Sequence, residues 1–343
     1  MGVTDILLDI HVECPYCQKE TATSLESIDL RDPIQCVGCR RSFVIGEVFE
    51  HLYEEEPLAR ESIDAVVRYA TSKWTLIEGS EEARGETQKF LQRIGFEDLL
   101  RRTATQVLVH GDAFLKTVAS GKKTNNWELL PTKQVQVKTS QITERGAKAS
   151  VLKEDEFILT AAKEGRSFGP DEIIHFKKVL LSEEKPYGDS KLEITLTPFR
   201  HLRLLRRAPP HVQSQFEFWR QKQEEEALLR LGVPRFVLER NAAEFDTRVA
   251  EIILGPFVFE VRELQRLLSE GFDRAIEQFA SQAKLTEVPR IQLTRLTERM
   301  VLLDCGFSFD REIKLWKSVY DAGIITKEEL DAELMEFRPW HLT

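Results

Sequence analysis

The pattern of the sequence changes between two neighbouring stretches, DEIIHFK at residues 171–177 and PYGDSKL at residues 186–192. Apolar residues dominate the middle of the first stretch, which is typical of a buried strand. Proline, glycine, aspartate and serine in the second stretch predict a turn. Beyond it the apolar spacing becomes helical, and residues 192–208 are predicted to form a helix. The chain therefore divides into a part that contains strands and a mainly helical part.

Helices and strands alternate on both sides of this point. The predicted strands are 24–30, 40–48, 74–77, 113–118, 127–131, 135–138, 157–159, 173–176, 235–238 and 290–293. The predicted helices are 58–70, 81–94, 96–110, 192–208, 211–231, 244–254, 257–284, 311–322 and 327–337. Gly255-Pro256 is predicted to separate two of these helices, since proline cannot continue the hydrogen-bond ladder. The fold class that follows is α+β and mostly helical.

Four of the five cysteines form two Cys-x-x-Cys pairs, Cys14 with Cys17 and Cys36 with Cys39. Eighteen residues separate the pairs. Two such turns can bring four thiolates to the corners of a tetrahedron. The sequence therefore predicts an N-terminal zinc ribbon in which these four cysteines bind a structural Zn²⁺ ion.

The role of this ribbon stays open at the level of the sequence. A four-cysteine site has no free coordination position, so metal catalysis is not expected. One alternative is a folding staple or a protein–protein contact module. The other is contact with nucleic acid, since the ribbon carries Lys19, Arg31, Arg40 and Arg41. The ribbon also carries many acidic residues, which favours the first alternative.

The chain is acidic. Its 343 residues include 48 Lys and Arg against 57 Asp and Glu, a net charge of −9. Proteins that bind nucleic acid over much of their surface usually carry a basic excess that neutralises phosphates, so we expect no tight grip on DNA along most of this surface. No apolar stretch approaches the roughly 20 residues that span a bilayer. The N-terminus also lacks a signal-peptide pattern. We therefore expect a cytosolic protein with no membrane partner and no disulfides.

Motifs of the common enzyme classes are absent from the sequence. The stretch nearest to a P-loop, GKKT at 121–124, lacks the first glycine of that motif. His175 lies beside apolar neighbours in a predicted strand, which favours a structural role over a catalytic one. Cys305 lies among apolar residues, which favours a buried and inert thiol. We therefore predict that the chain is not an enzyme.

Several segments resemble, in the same order, the portal proteins of tailed bacteriophages, which connect the head to the tail. The most specific are the two stretches at 171–177 and 186–192 with the long helix after them. The others are a helix with a short strand (63–77), a helix-to-strand step (107–116), LLP before VQV (129–137), GVP (232–234) and AGIITKEE (322–329). Two features depart from the portal pattern: the ribbon is additional, and 233–256 is short for a full clip.

The resemblance implies a portal fold with wing, stem, clip and crown, preceded by the zinc ribbon. It assigns 1–50 to the ribbon, 51–205 to the wing, 206–232 to a stem helix, 233–256 to a clip-like segment, and 257–343 to a long wing helix with crown-side C-terminal helices. Portals are typically rings of twelve subunits at one capsid vertex. The terminase motor packages DNA through the central channel, DNA is ejected through it, and the neck and tail attach to the ring.

The partners implied by the resemblance are other copies of the chain, the terminase large subunit, the major capsid protein, neck or tail proteins, and double-stranded DNA in the channel. The location implied is the virion, and the host cytoplasm during assembly. An acidic channel wall repels DNA and lets it slide. Glu224, Glu225 and Glu226 on the proposed stem helix are candidates for this wall. A solvated helix face is an equal alternative for these three residues.

Two further features of the helical part bear on a ring. Phe216, Phe218 and Trp219 are candidates for contacts between neighbouring subunits, although a core within one subunit could equally bury them. Gly255-Pro256, between two predicted helices, is a candidate loop that projects toward the channel.

Two other functions stay open from the residues alone. A nucleic-acid-binding protein led by its zinc ribbon would be a monomer or dimer with salt-dependent DNA binding. An unrecognised enzyme with a structural zinc ribbon would contain a concave pocket with convergent polar groups and perturbed ionisable residues.

Overall fold

The protein is α+β and mostly helical, as the sequence predicts. The computed structural model describes residues 9–24, 33–117, 126–142, 151–160, 166–179, 186–207, 209, 216–241, 247–307, 309–321, 324 and 326–335. Within those ranges, no helix combines the length and the apolar character needed to cross a membrane.

The part of the chain before residue 180 contains most of the described strands. Its elements are β1 Asp9–Glu13, β2 Glu20–Ser24, β3 Ile34–Gln35, β4 Ser42–Phe43, α1 Ile45–Glu55, α2 Pro57–Ala70, β5 Trp74–Ile77, α3 Glu81–Arg93, α4 Phe96–His110, β6 Asp112–Lys116, β7 Glu128–Leu130, β8 Val135–Ile142, β9 Val151–Leu159, β10 Arg166–Phe168 and β11 Ile173–Lys177. All the described pairings between these strands are antiparallel.

The part after residue 185 is mainly helical. Its elements are α5 Leu196–Arg207, α6 Glu217–Leu231, α7 Arg235–Glu239, α8 Thr247–Ala283, β12 Arg290–Leu293, α9 Glu298–Asp304, α10 Asp310–Asp321 and α11 Lys327–Met335. β12 returns to pair antiparallel with β5, which closes the body of the protein around a large apolar core.

Two predicted strands are wrong in the structure. In 40–48 only β4 is extended, and α1 begins at Ile45. Buried apolar residues recur at helical spacing from Ile45 to Leu52, and this pattern outweighs the β-branched composition. Segment 235–238 lies in α7, because an apolar run of this length fits a buried helical turn as well as a strand. Of the predicted strand 24–30, only Ser24 lies within the described residues.

The predicted helix break at Gly255-Pro256 is also wrong, and no loop projects there. α8 continues through Pro256, which lies on its exposed side. The carbonyl that loses its partner belongs to Ile252, which is exposed too, so water can satisfy it. Leu254 and Phe257 are fully buried on the opposite side and hold the helix in place. The limit between segments 233–256 and 257–343 therefore falls inside one helix.

β6 is the central strand of a three-stranded sheet, between β11 and β7. All five of its residues are buried. Gly111 ends α4 with a left-handed φ of 83° and leads directly into β6. This single residue therefore joins the helical layer to the centre of the sheet.

The segment after β11 packs against this α4–β6 junction, backbone to backbone. A Cβ on Gly188 would lie 2.2 Å from the carbonyl oxygen of Gly111. The Gly188 N–H donates to Asp112 Oδ1 at 2.8 Å, and the Lys191 N–H donates to the Leu108 carbonyl at 2.9 Å. The turn predicted from PYGDSKL is thus a close contact that leaves no room for a side chain at 188.

His175 lies beneath this contact, on β11. Its Nε2 is 2.7 Å from Asp112 Oδ1, and its Nδ1 is 2.5 Å from Glu154 Oε1. Burial opposes a charged imidazole, but the hydrogen bonds with the two carboxylates outweigh burial and raise the pKa of His175. The geometry fits the structural role that the sequence favours for this residue.

α8 is attached to the same junction. The Glu260 carboxylate on α8 binds the ammonium groups of Lys178 and Lys191, the latter at 3.2 Å. Burial disfavours the charged carboxylate, but the two lysines outweigh it and lower the pKa of Glu260. Further along α8, a Cβ on Gly271 would lie 2.1 Å from the ring of Phe176. The long helix therefore crosses β11 at close range.

Replacing Gly188 by Ala is expected to destabilise the protein by about 2–3 kcal/mol, because the added methyl group overlaps the backbone of Gly111. Gly85→Ala is the matched control, since a Cβ there meets nothing within 4 Å. It lies inside α3 and is expected to be neutral or to stabilise by about 0.5–1 kcal/mol. Urea unfolding of both variants at one protein concentration measures the two effects. Equal stability of Gly188→Ala and wild type would contradict the close contact.

The contribution of His175 to stability is expected to depend on pH. Because its pKa is raised in the folded state, this contribution is complete below the unfolded value of 6.5 and is lost as pH rises through the folded value. The loss of unfolding free energy in His175→Gln should therefore be larger near pH 6 than near pH 10. His201→Gln, at an exposed histidine of α5, serves as the control. A loss that stays constant with pH would count against a charged His175.

Candidate metal centre and its attachment to the body

The two Cys-x-x-Cys pairs form the turns of two short hairpins, β1–β2 and β3–β4. In each turn the residue after the second cysteine donates its N–H to the carbonyl of the first, at 2.8 Å and 3.0 Å. That residue has a left-handed backbone in both turns, with φ of 61° at Gln18 and 59° at Arg40. The site is therefore built from two copies of the same knuckle.

The four sulfur atoms lie together between the two knuckles, all within 4.8 Å of one another. The Sγ atoms of Cys14 and Cys39 are 3.7 Å apart, and those of Cys17 and Cys36 are 3.4 Å apart. Thiolates bound at about 2.3 Å around a tetrahedral zinc ion are about 3.8 Å apart. The sulfur positions therefore fit a four-coordinate metal ion, and no second cluster of this kind occurs among the described residues.

Backbone N–H groups of the second knuckle point at sulfur. Those of Gly38 and Cys39 lie 3.2 Å and 3.4 Å from Cys36 Sγ. The N–H of Cys39 contributes most to lowering the pKa of the Cys36 thiol to about 6, while burial raises the pKa of Cys14 to about 12. Of these two thiols, Cys36 therefore ionises more readily, and a bound cation would favour the thiolate of Cys14.

The knuckles do not form a separate module. Val12, Ile34 and Phe43, on the strands that flank the two knuckles, are buried. These side chains belong to the same apolar cluster as the buried faces of α1, α2 and α4. The candidate metal site therefore lies on the edge of the main core of the protein.

Arginines of α5 bind glutamates of the N-terminal region. Arg200 holds Glu20 of β2 through two hydrogen bonds of 2.7 Å. Arg203 lies between Glu13 at 3.2 Å and Glu56 at 2.8 Å. Two further pairs are Arg206–Glu56 at 2.5 Å and Arg207–Glu13 at 3.4 Å. Because both Glu13 and Glu56 are buried, removing one partner would leave an uncompensated charge away from water.

Sequence reasoning alone missed these ion pairs. One signal was available, since Arg200, Arg203 and Arg207 recur at helical spacing and share one face of α5. Their partners could not be identified in the same way, because Glu20 lies 180 residues from Arg200. Only the folded chain shows that α5 and the ribbon meet.

The basic residues of the ribbon lie around the knuckle tips. Lys19, Arg40 and Arg41 are exposed. The aliphatic part of Lys19 lies across Gly38, and Arg41 stacks over the ring of Tyr16 at 5.3 Å. Arg31 lies outside the described residues. The tip thus presents a few cations, fewer than the six to ten phosphate contacts of a strong DNA-binding surface.

The three candidate channel glutamates lie on α6 but point in different directions, since successive helix positions are about 100° apart. Glu224 is half-buried and binds Arg220 at 3.2 Å and Arg235 at 3.3 Å. Glu226 binds the arginine four residues later at 2.6 Å. Glu225 is exposed, and a channel-lining role for the three residues stays a prediction.

Cys305 lies far from the cluster in the chain and is buried next to α9. Burial raises the pKa of its thiol to about 11. These observations fit the inert thiol that the sequence favours, and they make this residue a useful control.

No protein-family model matches the chain, and no curated protein sequence matches it. Solved structures share its fold. A chain of the virion of native gene transfer agent (GTA) particle superposes with a TM-score of 0.53 at 12% identity, over 90% of this chain and 96% of that one. A chain from the neck of the empty GTA particle, computed with C6 symmetry, gives 0.54 at 14%, over 90% and 96%. A chain from the neck of the native GTA particle, computed with C12 symmetry, gives 0.53 at 13%, over 89% and 95%.

We expect the purified chain to hold one metal ion, bound by all four cysteines. Cys36→Ser should reduce the metal content per chain severalfold and lower the melting temperature, because a hydroxyl is a poor replacement for a thiolate ligand. Cys305→Ser should keep the full metal content. Elemental analysis against protein concentration checks both variants. Full occupancy in Cys36→Ser would contradict the site.

Proposed function

We propose that this chain is the portal subunit of a tailed phage-like particle, a ring at one capsid vertex through which DNA is packaged and ejected. The observation that carries the proposal is the fold shared over nearly the whole chain with chains of GTA virion and neck structures. One of those neck structures was computed with C12 symmetry. This symmetry agrees with the twelve-subunit ring that the portal-like sequence segments imply.

In this proposal the segments have the roles that the portal resemblance assigns to them. Residues 51–205 form the wing, 206–232 contain the stem helix α6, and 233–256 are the clip-like segment. Residues 257–343 contain most of α8, as the long wing helix, and the crown-side helices. Because α8 is one helix from Thr247 to Ala283, it links the clip-like segment rigidly to the wing.

The charge of the chain supports a channel through which DNA slides. The net charge is −9, so the surface as a whole repels phosphate. Among the candidate channel residues, Glu224 and Glu226 are partly neutralised by arginines, whereas Glu225 faces solvent. We propose that the acidic wall draws on these three residues together with the rest of the acidic surface, and Glu225 is the one of them that no arginine in the described part of the chain neutralises.

The ribbon in 1–50 has a structural role in this proposal, with Zn²⁺ as its ion. Four thiolates are the donor set of closed structural zinc sites, and such a site leaves no position for a substrate. The ion holds the two knuckles together, and the α5 arginines hold the knuckles to the body. The chain is proposed to be non-enzymatic on this basis and by likeness to structural particle proteins.

The partners follow from the same role. They are further copies of the chain, the terminase large subunit during packaging, the major capsid protein around the vertex, neck or tail proteins afterwards, and double-stranded DNA in the channel. The protein would occur in the host cytoplasm during assembly and in the virion after it.

The full chain, expressed with zinc, is expected to form a ring of about twelve subunits with a central hole. We expect a closed ring because one contact relates each copy to the next by the same rotation, and such a series closes after a fixed number of copies. Mass photometry across a concentration series gives the subunit number, and negative-stain images show the hole. In parallel, an electrophoretic mobility assay in about 0.15 M salt should show weak DNA binding.

A stable dimer that binds DNA tightly at low salt would overturn the portal proposal in favour of a zinc-ribbon nucleic-acid-binding protein. A variant with Arg40 and Arg41 changed to glutamate separates the two functions. It should leave the ring unchanged if the chain is a portal subunit, and it should abolish DNA binding if the ribbon is a DNA-binding module.

A further inference from the structure

The first third of α8 is apolar on both sides. One side is buried in the core through Ala250, Leu254, Phe257 and Val261. The opposite side exposes Val249, Ile252, Ile253, Pro256 and Phe259, with Ile252 77% and Phe259 65% accessible. A helix that is apolar all round is normally covered on all sides. The outer side of this helix therefore indicates a surface that another protein surface covers.

A groove lies beside this outer stripe, between the end of α6 and α8. Its cavity volume is about 250 Å³, and it is lined mainly by apolar residues. Leu229, Pro234, Ile253 and Pro256 are among them, and Leu229 is 81% exposed. The lining also includes two charged residues, Glu225 and Arg235, and Arg235 is paired with Glu224 at 3.3 Å. We call this feature the α6–α8 groove.

An aromatic cluster lies at the other end of α6. Phe216, Phe218 and Trp219 are all exposed, and Phe218 is 70% accessible. The rings of Phe218 and Trp219 pack edge to face at 6.0 Å, and the Lys222 ammonium lies 5.5 Å above the Trp219 ring. We call these three residues the aromatic knob. Together with the groove and the outer stripe, the knob accounts for eight of the sixteen large apolar side chains that are exposed in the described residues.

The knob cannot enter the groove of its own chain. Phe218 and Leu229 lie on the same side of α6, eleven residues apart, which corresponds to about 16 Å along a straight helix. Within the part of the chain that the structure describes, every copy therefore displays an apolar projection and an apolar recess, and its own projection cannot fill its own recess. In a ring, each copy meets its two neighbours through two different faces, so its projection and its recess are both occupied.

We propose that the aromatic knob of one copy occupies the α6–α8 groove of the next, and that this contact forms the lateral interface of the ring. The inference rests on the ring of the proposed function and identifies the surface that closes it. Rotation about the ring axis leaves every residue at the same height along that axis. The knob and the groove lie at opposite ends of α6, so they meet between neighbouring copies only if α6 is tilted away from the axis. The exposed stripe of α8 is then covered by the neighbouring copy.

Charge complementarity supports a second copy as the occupant. The knob brings Lys222 with it, whereas the groove carries Glu225 in its lining, and the Arg235 beside it is already bound by Glu224 and Glu239. When a knob enters a groove, the lysine of one copy approaches the glutamate of the next, and unlike charges meet at the edge of an apolar contact. A nucleic acid would find few cations on these apolar surfaces, which disfavours it as the occupant.

Two single substitutions test the pairing of knob and groove. Phe218→Ser removes the knob, and Leu229→Asp places a charge in the groove; both side chains are exposed, so the folded subunit should tolerate each change. Ile324→Asp is the matched control, since Ile324 is 72% exposed and lies outside both features. Circular dichroism and thermal unfolding establish that all three variants fold. Mass photometry then gives their assembly state.

The expected result is a ring for wild type and Ile324→Asp, and a 39.6 kDa single chain for each of the other variants. An equimolar mixture of Phe218→Ser and Leu229→Asp should give a particle of twice that mass, since one intact knob meets one intact groove. Rings from both variants, or a mixture that stays monomeric, would overturn this interface while the ring of wild type stands. Wild type that is monomeric at every concentration would overturn the ring and the interface together.

Discussion

The approach of Gly188 to Gly111 is the contact on which the rest of the structure depends. It brings two pieces of backbone together where the end of α4, the start of β6 and the segment after β11 meet. Such an approach excludes side chains on both residues, and the N–H of Gly188 finds its acceptor in Asp112. Asp112 in turn fixes His175 across the sheet. These contacts therefore fix the position of the helical layer relative to the sheet.

That junction also determines where α8 lies, and α8 organises the second half of the molecule. Glu260 binds lysines on both sides of the junction, and the missing side chain of Gly271 lets Phe176 approach the helix. A proline within α8 does not interrupt it, because the side of the helix with the unsatisfied carbonyl faces water while the other side is fully buried. Packing has thus overridden the local signal that proline gives.

This override explains where sequence reasoning succeeded and where it failed. The helices α2 to α4 and the strand β12 follow from apolar spacing, since buried residues recur in each with the period of its element. The strand β5 follows from its short apolar run between turn signals. The four ligands of the candidate metal site follow from spacing within each pair. The α5 arginines and their glutamates could not be predicted, because those ion pairs join residues that only tertiary structure brings together. A short apolar run such as that of α7 carries no period to interpret.

In the proposed ring, the exposed side of α8 connects the stability of one subunit with assembly. Burying apolar surface contributes roughly 25 cal/mol per Å², so a subunit that leaves this stripe in water lacks a contribution that a neighbour can supply. Its stability should then depend on protein concentration, as it does for subunits that are stabilised by binding.

The junction between the helical layer and the sheet also matters for the proposed ring, because a contact repeated around a ring adds the same small angular error at every step. A subunit whose α6 and α8 moved freely against its sheet would close into rings of many sizes. The glycine contact, the Glu260 ion cluster and the continuity of α8 all reduce that freedom.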